Sequence, residues 1–87
     1  MKITLKQFFD SKEKLAIHCD TEEKANKLLK EFDRLGKKWR FGGSYLEEDC
    51  YEGYNDKTCY SNCGGYCEID YYKDNNHKIY SLEDIIF

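Results

Sequence analysis

Cys50, Cys59, Cys63 and Cys67 fall within eighteen residues at the spacing C-x8-C-x3-C-x3-C. Zinc takes four soft ligands in a tetrahedron, and structural sites commonly separate paired ligands by about two to four residues. Two of the three gaps comply, and Gly64-Gly65 lets the backbone turn sharply between the last two thiols. The cluster predicts a structural zinc ion, closed by four thiolates and offering no open position for catalysis. The spacing lacks the paired C-x2-C knuckles of a zinc ribbon, so two rivals stay open. Disulfides are disfavoured in a reducing cytosol and by an odd cysteine count. Buried free thiols would need more apolar surroundings than this polar, glycine-broken stretch offers. His18, His77 or a water could also stand in for one thiol.

Cys19 stands apart on the apolar face of a strand and reads as core, since a buried free cysteine behaves as a small hydrophobe. His18 and Cys19 are neighbours on that strand and point to opposite faces, so they cannot form a nucleophilic pair. The chain holds no Ser-His-Asp elements, phosphate loop or glycine fingerprint. It reads as a protein that is not an enzyme.

Charge divides the sequence. Residues 1–40 carry eleven Lys/Arg against seven Asp/Glu, and residues 41–87 carry three Lys against ten Asp/Glu, so the net −3 hides halves of +4 and −7. All eight tyrosines lie between Tyr45 and Tyr80, in the acidic half. Carboxylates suit a basic groove on a partner, and tyrosines bring large contact area. The residues expected to make that contact are Glu47, Glu48, Asp49, Tyr51, Glu52, Tyr54, Asp56, Asp70 and Asp74. Tyr60, Tyr66 and Tyr71 read instead as half-buried strand residues. The basic face of Lys24, Lys27, Lys30 and Arg34 could track a phosphate backbone, but its acids at i,i+4 (Glu23 with Lys27, Lys27 with Glu31) predict a solvated helix face.

The elements that must position these residues start at Thr4 and Gln7, a capping-box pair with Ile3 and Phe8 as hydrophobic staple, predicting a short helix over residues 5–11. Lys14–Cys19 alternates as a strand. Asp20 with Glu23 reads as a second cap. Ala25, Leu28, Leu29, Phe32 and Leu35 then form a helical stripe closed by Gly36. Lys38–Phe41 suggests another strand with Trp39 available to pack on the helix. Tyr66–Tyr72 alternates as a half-buried strand, and residues 74–77 form a turn, after which Lys78–Tyr80 returns as its hairpin partner. Ser81 and Asp84 before Ile85-Ile86-Phe87 repeat the N-terminal cap in miniature. The expected fold is α+β: a small antiparallel β-sheet with one main α-helix packed on a face, short capped terminal segments and a zinc-stapled loop-rich half.

Length confines this to a single domain, residues 1–87, with a strand and helix core in 1–41 and an acidic, cysteine-rich part in 42–87. A chain this short rarely draws more than about 3–5 kcal/mol from its core. Bound zinc contributes on the order of 10–16 kcal/mol in small structural sites. No apolar run exceeds three residues, and no apolar segment follows Met1-Lys2, so neither a membrane span nor a secretory signal is expected.

The strand ending His18-Cys19-Asp20-Thr21-Glu22-Glu23, the helix running to Trp39, Thr58-Cys59-Tyr60 and the apolar end Ile85-Ile86-Phe87 resemble small proteins of phages and prophages of low-GC Gram-positive bacteria. With the further cysteines at 50, 63 and 67, the chain looks most like a zinc-containing anti-CRISPR protein acting on the type II-A effector Cas9. The resemblance implies a non-enzymatic inhibitor in the cytoplasm of the bacterial host. It would bind Cas9 or the Cas9–guide RNA complex, as a monomer and without direct nucleic-acid contact, and stop target DNA from engaging. Other readings of the same features are a phage accessory protein binding nucleic acid through the basic helix, and a small zinc-bound scaffold protein.

Overall fold

The computed structural model describes residues 2–87. Ile3–Thr4 (β1) leads into Leu5–Asp10 (α1), where the Thr4 hydroxyl accepts from the Gln7 N–H and the Gln7 side chain accepts from the Thr4 N–H. Leu15–His18 (β2) precedes the main helix Glu22–Arg34 (α2). Its cap is Thr21, whose hydroxyl accepts from the Lys24 N–H, and not the expected Asp20. Asp20 instead holds the Lys24 ammonium at 2.8 Å, which leaves the cap to its neighbour.

α2 ends where Gly36 takes the left-handed conformation at φ +80°, with Gly36 N–H donating to Asp33 O and Lys37 N–H to Phe32 O. This pair of bonds satisfies carbonyls that the last helical turn leaves open. Ala25, Leu28, Leu29 and Phe32 are buried as the stripe predicts, but Leu35, at the cap, is 42% exposed.

Thr58–Ser61 (β3), Tyr66–Glu68 (β4) and Lys78–Ser81 (β5) complete a four-stranded sheet of order β4-β3-β2-β5. It is mixed: β2–β3 and β3–β4 are antiparallel, while β5 runs parallel to β2. The expected hairpin between Tyr66–Tyr72 and Lys78–Tyr80 is absent, because the chain turns helical at Ile69–Asp74 (α3). Ile69 and Tyr72, three residues apart, both pack under the sheet, while Tyr71 is 51% exposed. Asn76 at φ +63° closes α3 with the same two-bond pattern that Gly36 gives α2. The expected strand at residues 38–41 is a turn that binds itself, Trp39 N–H to Gly43 O and Gly42 N–H to Trp39 O.

Ile85–Ile86 (β6) follows a Ser81–Asp84 capping box and lies parallel to β1, tying the two ends of the described chain together. Leu15, Ile17, Tyr60 and Tyr80 share one cluster with Phe8, Phe32 and Trp39, so the main core draws on both charge halves. Ala16, Cys59 and Tyr72 form a smaller cluster with Ile69 and Ile79. The sheet thus carries α1 and α2 on one face and α3 on the other.

Candidate functional site

The cysteines separate across this sheet. Cys59 on β3 faces Cys67 on β4 across the ladder, both with the α3-side cluster. Burial, then the neighbouring Cys67, pushes the Cys59 thiol up to about 12. Cys50, at φ +55°, packs against the α2-side core. Cys63 is exposed on the turn between β3 and β4. A four-thiolate zinc site needs every sulfur within about 2.3 Å of one ion. Among the described residues, no group of three or more His, Cys, Asp or Glu is drawn together in a metal-holding arrangement. Cys19 is fully buried in the core, and its thiol is pushed up to about 12 chiefly by burial.

A groove of about 650 Å³ opens instead on the α2 side, between the first turns of α2 and the segment at residues 45–53. Glu22, Glu47, Glu48, Asp49 and Glu52 line it, and Lys30 contributes an opposing charge. Buried aromatics set the segment's course. Trp39 Nε1–H donates to the Glu48 carbonyl at 3.1 Å, and Tyr60 O–H donates to the Asp49 carbonyl at 2.6 Å. Both rings lie in the main core. Their polar tips therefore fix two consecutive carbonyls of a stretch with no regular structure. The Asp49 carboxylate also accepts from the Tyr51 N–H at 3.0 Å, an Asx-type turn that starts the short 3₁₀ helix Tyr51–Gly53.

The electrostatics follow from convergence. The Glu22 carboxyl is held above the usual carboxylate range, first by a hydrogen bond with Asp49, then by the Asp49 charge, by desolvation and by the Glu52 charge. Like charges brought together across a groove repel unless a cation joins them. The arrangement suits an ammonium or guanidinium from outside.

Of the expected contact residues, Glu47, Glu48, Asp49 and Glu52 meet at this groove. Tyr51 is buried in the core and presents no free face. Tyr54 is half-buried, its ring 6.1 Å from that of Tyr66. Asp56 lies beyond the groove lining, its carbonyl 2.7 Å from His18 Nε2. Asp70 and Asp74 sit on α3, which packs on the opposite face of the sheet. Tyr60 is fully buried, not half-buried, whereas Tyr66 is 39% exposed. Glu22 escaped the sequence reading, because its first-turn position signals only a favourable helix start and nothing local brings residue 49 to it.

The basic face of α2 is largely engaged within the chain. Lys24 bonds Asp20 at 2.8 Å and Glu83 at 2.9 Å, Arg34 bonds Glu31 at 2.7 Å, and Lys27 sits over the Phe87 ring. The expected pairing of Lys27 with Glu23 and Glu31 gives way to these contacts. No helix among the described residues is long and apolar enough to cross a membrane.

No protein-family model, curated protein or solved structure matches the chain.

Proposed function

We propose that the chain is a non-enzymatic binding protein whose acidic groove captures a basic surface of another protein that otherwise holds nucleic acid. The observation that carries this reading is the convergence of Glu22, from the start of α2, with Asp49 and Glu52 of the 45–53 segment, and with Glu47 and Glu48 on the same rim. Clustered carboxylates steer a basic partner into an encounter and reject acidic ones. The sequence resemblance supplies the particular partner, guide-loaded type II-A Cas9, and the outcome, exclusion of target DNA. The ion pairs that occupy the basic face of α2 favour this groove over direct nucleic-acid binding.

A pull-down with and without the Cas9–guide complex, alongside a mobility shift with DNA and RNA, tests the proposal. Capture of the guide-loaded effector with no shift of nucleic acid is expected. A shift of free DNA or RNA without capture would transfer the function to the basic helix.

A further inference from the structure

A second cleft, of about 690 Å³, opens against the β3–β4 turn and shares only Tyr66 with the acidic groove. Its charge has the opposite sign: Lys12, Lys14 and Arg40 line it against the single acid Glu13. None of these three cations pairs with a carboxylate among the described residues, unlike Lys6, Lys24 and Arg34. The fold brings them to one place. Asn62, on the turn, donates to the carbonyls of Phe8 and Glu13 and accepts from the Leu15 N–H, which fastens residues 12–14 beside it. Arg40 is fastened from the other side. Its N–H donates to Gly64 O at 2.9 Å, and a Cβ on Gly64 would stand 2.8 Å from Arg40 N, so only glycine lets the two segments approach.

The same cleft displays aromatic surface. Phe41 is 66% exposed, but its ring is held: it stacks on the buried Trp39 indole, with 5.9 Å between centroids and 9° between planes. Gly43 makes room for it, since a Cβ there would stand 2.8 Å from the Phe41 ring. Aromatic rings favour this offset-parallel arrangement, and Phe41 can offer its open face to a further planar ring in the same way. Tyr71, about half exposed, adds ring surface to the same cleft. On its wall lies His77, whose Nδ1 is the one buried side-chain nitrogen or oxygen without a hydrogen-bond partner among the described residues. Polar capacity that the chain itself leaves unmet is therefore found here.

We propose that this cleft binds a nucleoside phosphate, with the base on Phe41 and the phosphates on Lys12, Lys14 and Arg40. Every base has a π-face that an aromatic ring can stack on, and neighbouring cations take the phosphate charge. A guanidinium meets phosphate oxygens with a two-pronged fork, and the two ammonium groups add point charges. The volume lies within the range of small-ligand clefts, about 300–1,000 Å³. A bare anion has no use for the exposed ring, and an apolar ligand would leave three cations without a partner. The combination selects a ligand that carries both a planar ring and negative charge. This site does not rest on the function proposed above.

The test titrates the isotope-labelled full chain with adenosine triphosphate, inorganic triphosphate and a single-stranded hexanucleotide, following amide NMR shifts. Adenosine triphosphate should bind saturably, with shifts at residues 12–14, 40–43 and 61–65. Inorganic triphosphate, which lacks the base, should bind about tenfold or more weakly. Phe41→Ala should bring the nucleotide down to the affinity of inorganic triphosphate and leave the latter unchanged, a split that loss of the fold would not give. Lys12→Gln with Lys14→Gln should weaken both ligands and flatten their salt dependence. Equal affinity for the two triphosphates, shifts centred on the acidic groove, or no saturable binding would overturn the site. A hexanucleotide bound more than about tenfold tighter than the nucleotide would overturn the free ligand in favour of a strand. The comparison of ligands uses the unaltered chain, so a variant that failed to fold would still leave the site decided.

Discussion

Tyr60→Phe isolates the device that shapes the acidic groove. The Tyr60 ring is fully buried, and burial pushes its phenol up, so the hydroxyl remains a donor across the accessible pH range. It donates at 2.6 Å to the Asp49 carbonyl, at the centre of the acidic segment. The substitution keeps the ring and its packing and removes that donor. A buried acceptor left without its partner costs about 1–3 kcal/mol. This bond is only partly buried, which places the loss at about 1–2 kcal/mol on the same scale. For a domain of this length that corresponds to a fall in Tm of about 4–16 °C. Urea unfolding followed by Trp39 fluorescence should show a lower midpoint at unchanged slope, because the surface exposed on unfolding is the same. Amide exchange at residues 48–51 should accelerate more than in α2. Tyr71→Phe, at an exposed ring, serves as the control and should be neutral. A loss below about 0.5 kcal/mol, within the range of an ordinary surface change, with exchange at 48–51 unaltered, would refute the clamp.

Further outcomes follow from the same geometry. Glu22→Gln should stabilise the chain at neutral pH. The raised carboxyl means that the native state keeps this proton to higher pH than the unfolded chain, so stability present below about pH 4.3 is lost as pH rises through the native value. Midpoints measured from pH 4 to 7 should therefore converge at the acid end and separate toward neutrality; parallel curves would argue against the Glu22–Asp49 contact. Gly64→Ala should cost more than Gly36→Ala, since both residues have positive φ but only Gly64 meets backbone at 2.8 Å. Thermal melts should show about 1–2 kcal/mol for Gly36→Ala and a larger loss for Gly64→Ala. Equal losses would mean that the Arg40 approach is not tight. Metal analysis of the purified chain tests a structural zinc on Cys50, Cys59, Cys63 and Cys67: about one zinc per chain would support it and require Cys50 and Cys59, now in different clusters, to come together, whereas a folded chain holding far less would count against it.

Local chemistry made part of this fold readable. The Thr4–Gln7 box, the α2 stripe and the Gly36 stop act within a turn of helix, so residue types alone reveal them. Tyr66–Tyr72 carried period-two alternation and also a spacing of three between Ile69 and Tyr72. Packing beneath the sheet decided for the helix, which no local pattern could settle. Parallel pairing of β5 with β2 spans some sixty residues and replaced the short-range hairpin that the turn at 74–77 suggested. Four of the acidic contact residues were readable because they are nearly contiguous, whereas Glu22 joins them only through the fold. Cysteine spacing gave no sign that a sheet would stand between Cys50 and Cys59.

The most direct test of the acidic groove is the affinity of guide-loaded Cas9 for the parent chain and for Glu47→Lys/Glu48→Lys/Glu52→Lys, measured across a salt series. All three side chains are exposed, so the variant should retain the fold. Charges at a contact rim act mainly on association rate and salt dependence. The parent chain should bind tightly and salt-sensitively and block target DNA, with slower association, lost inhibition and a flattened salt response in the variant. Equal affinity and equal salt dependence for the two proteins would contradict it.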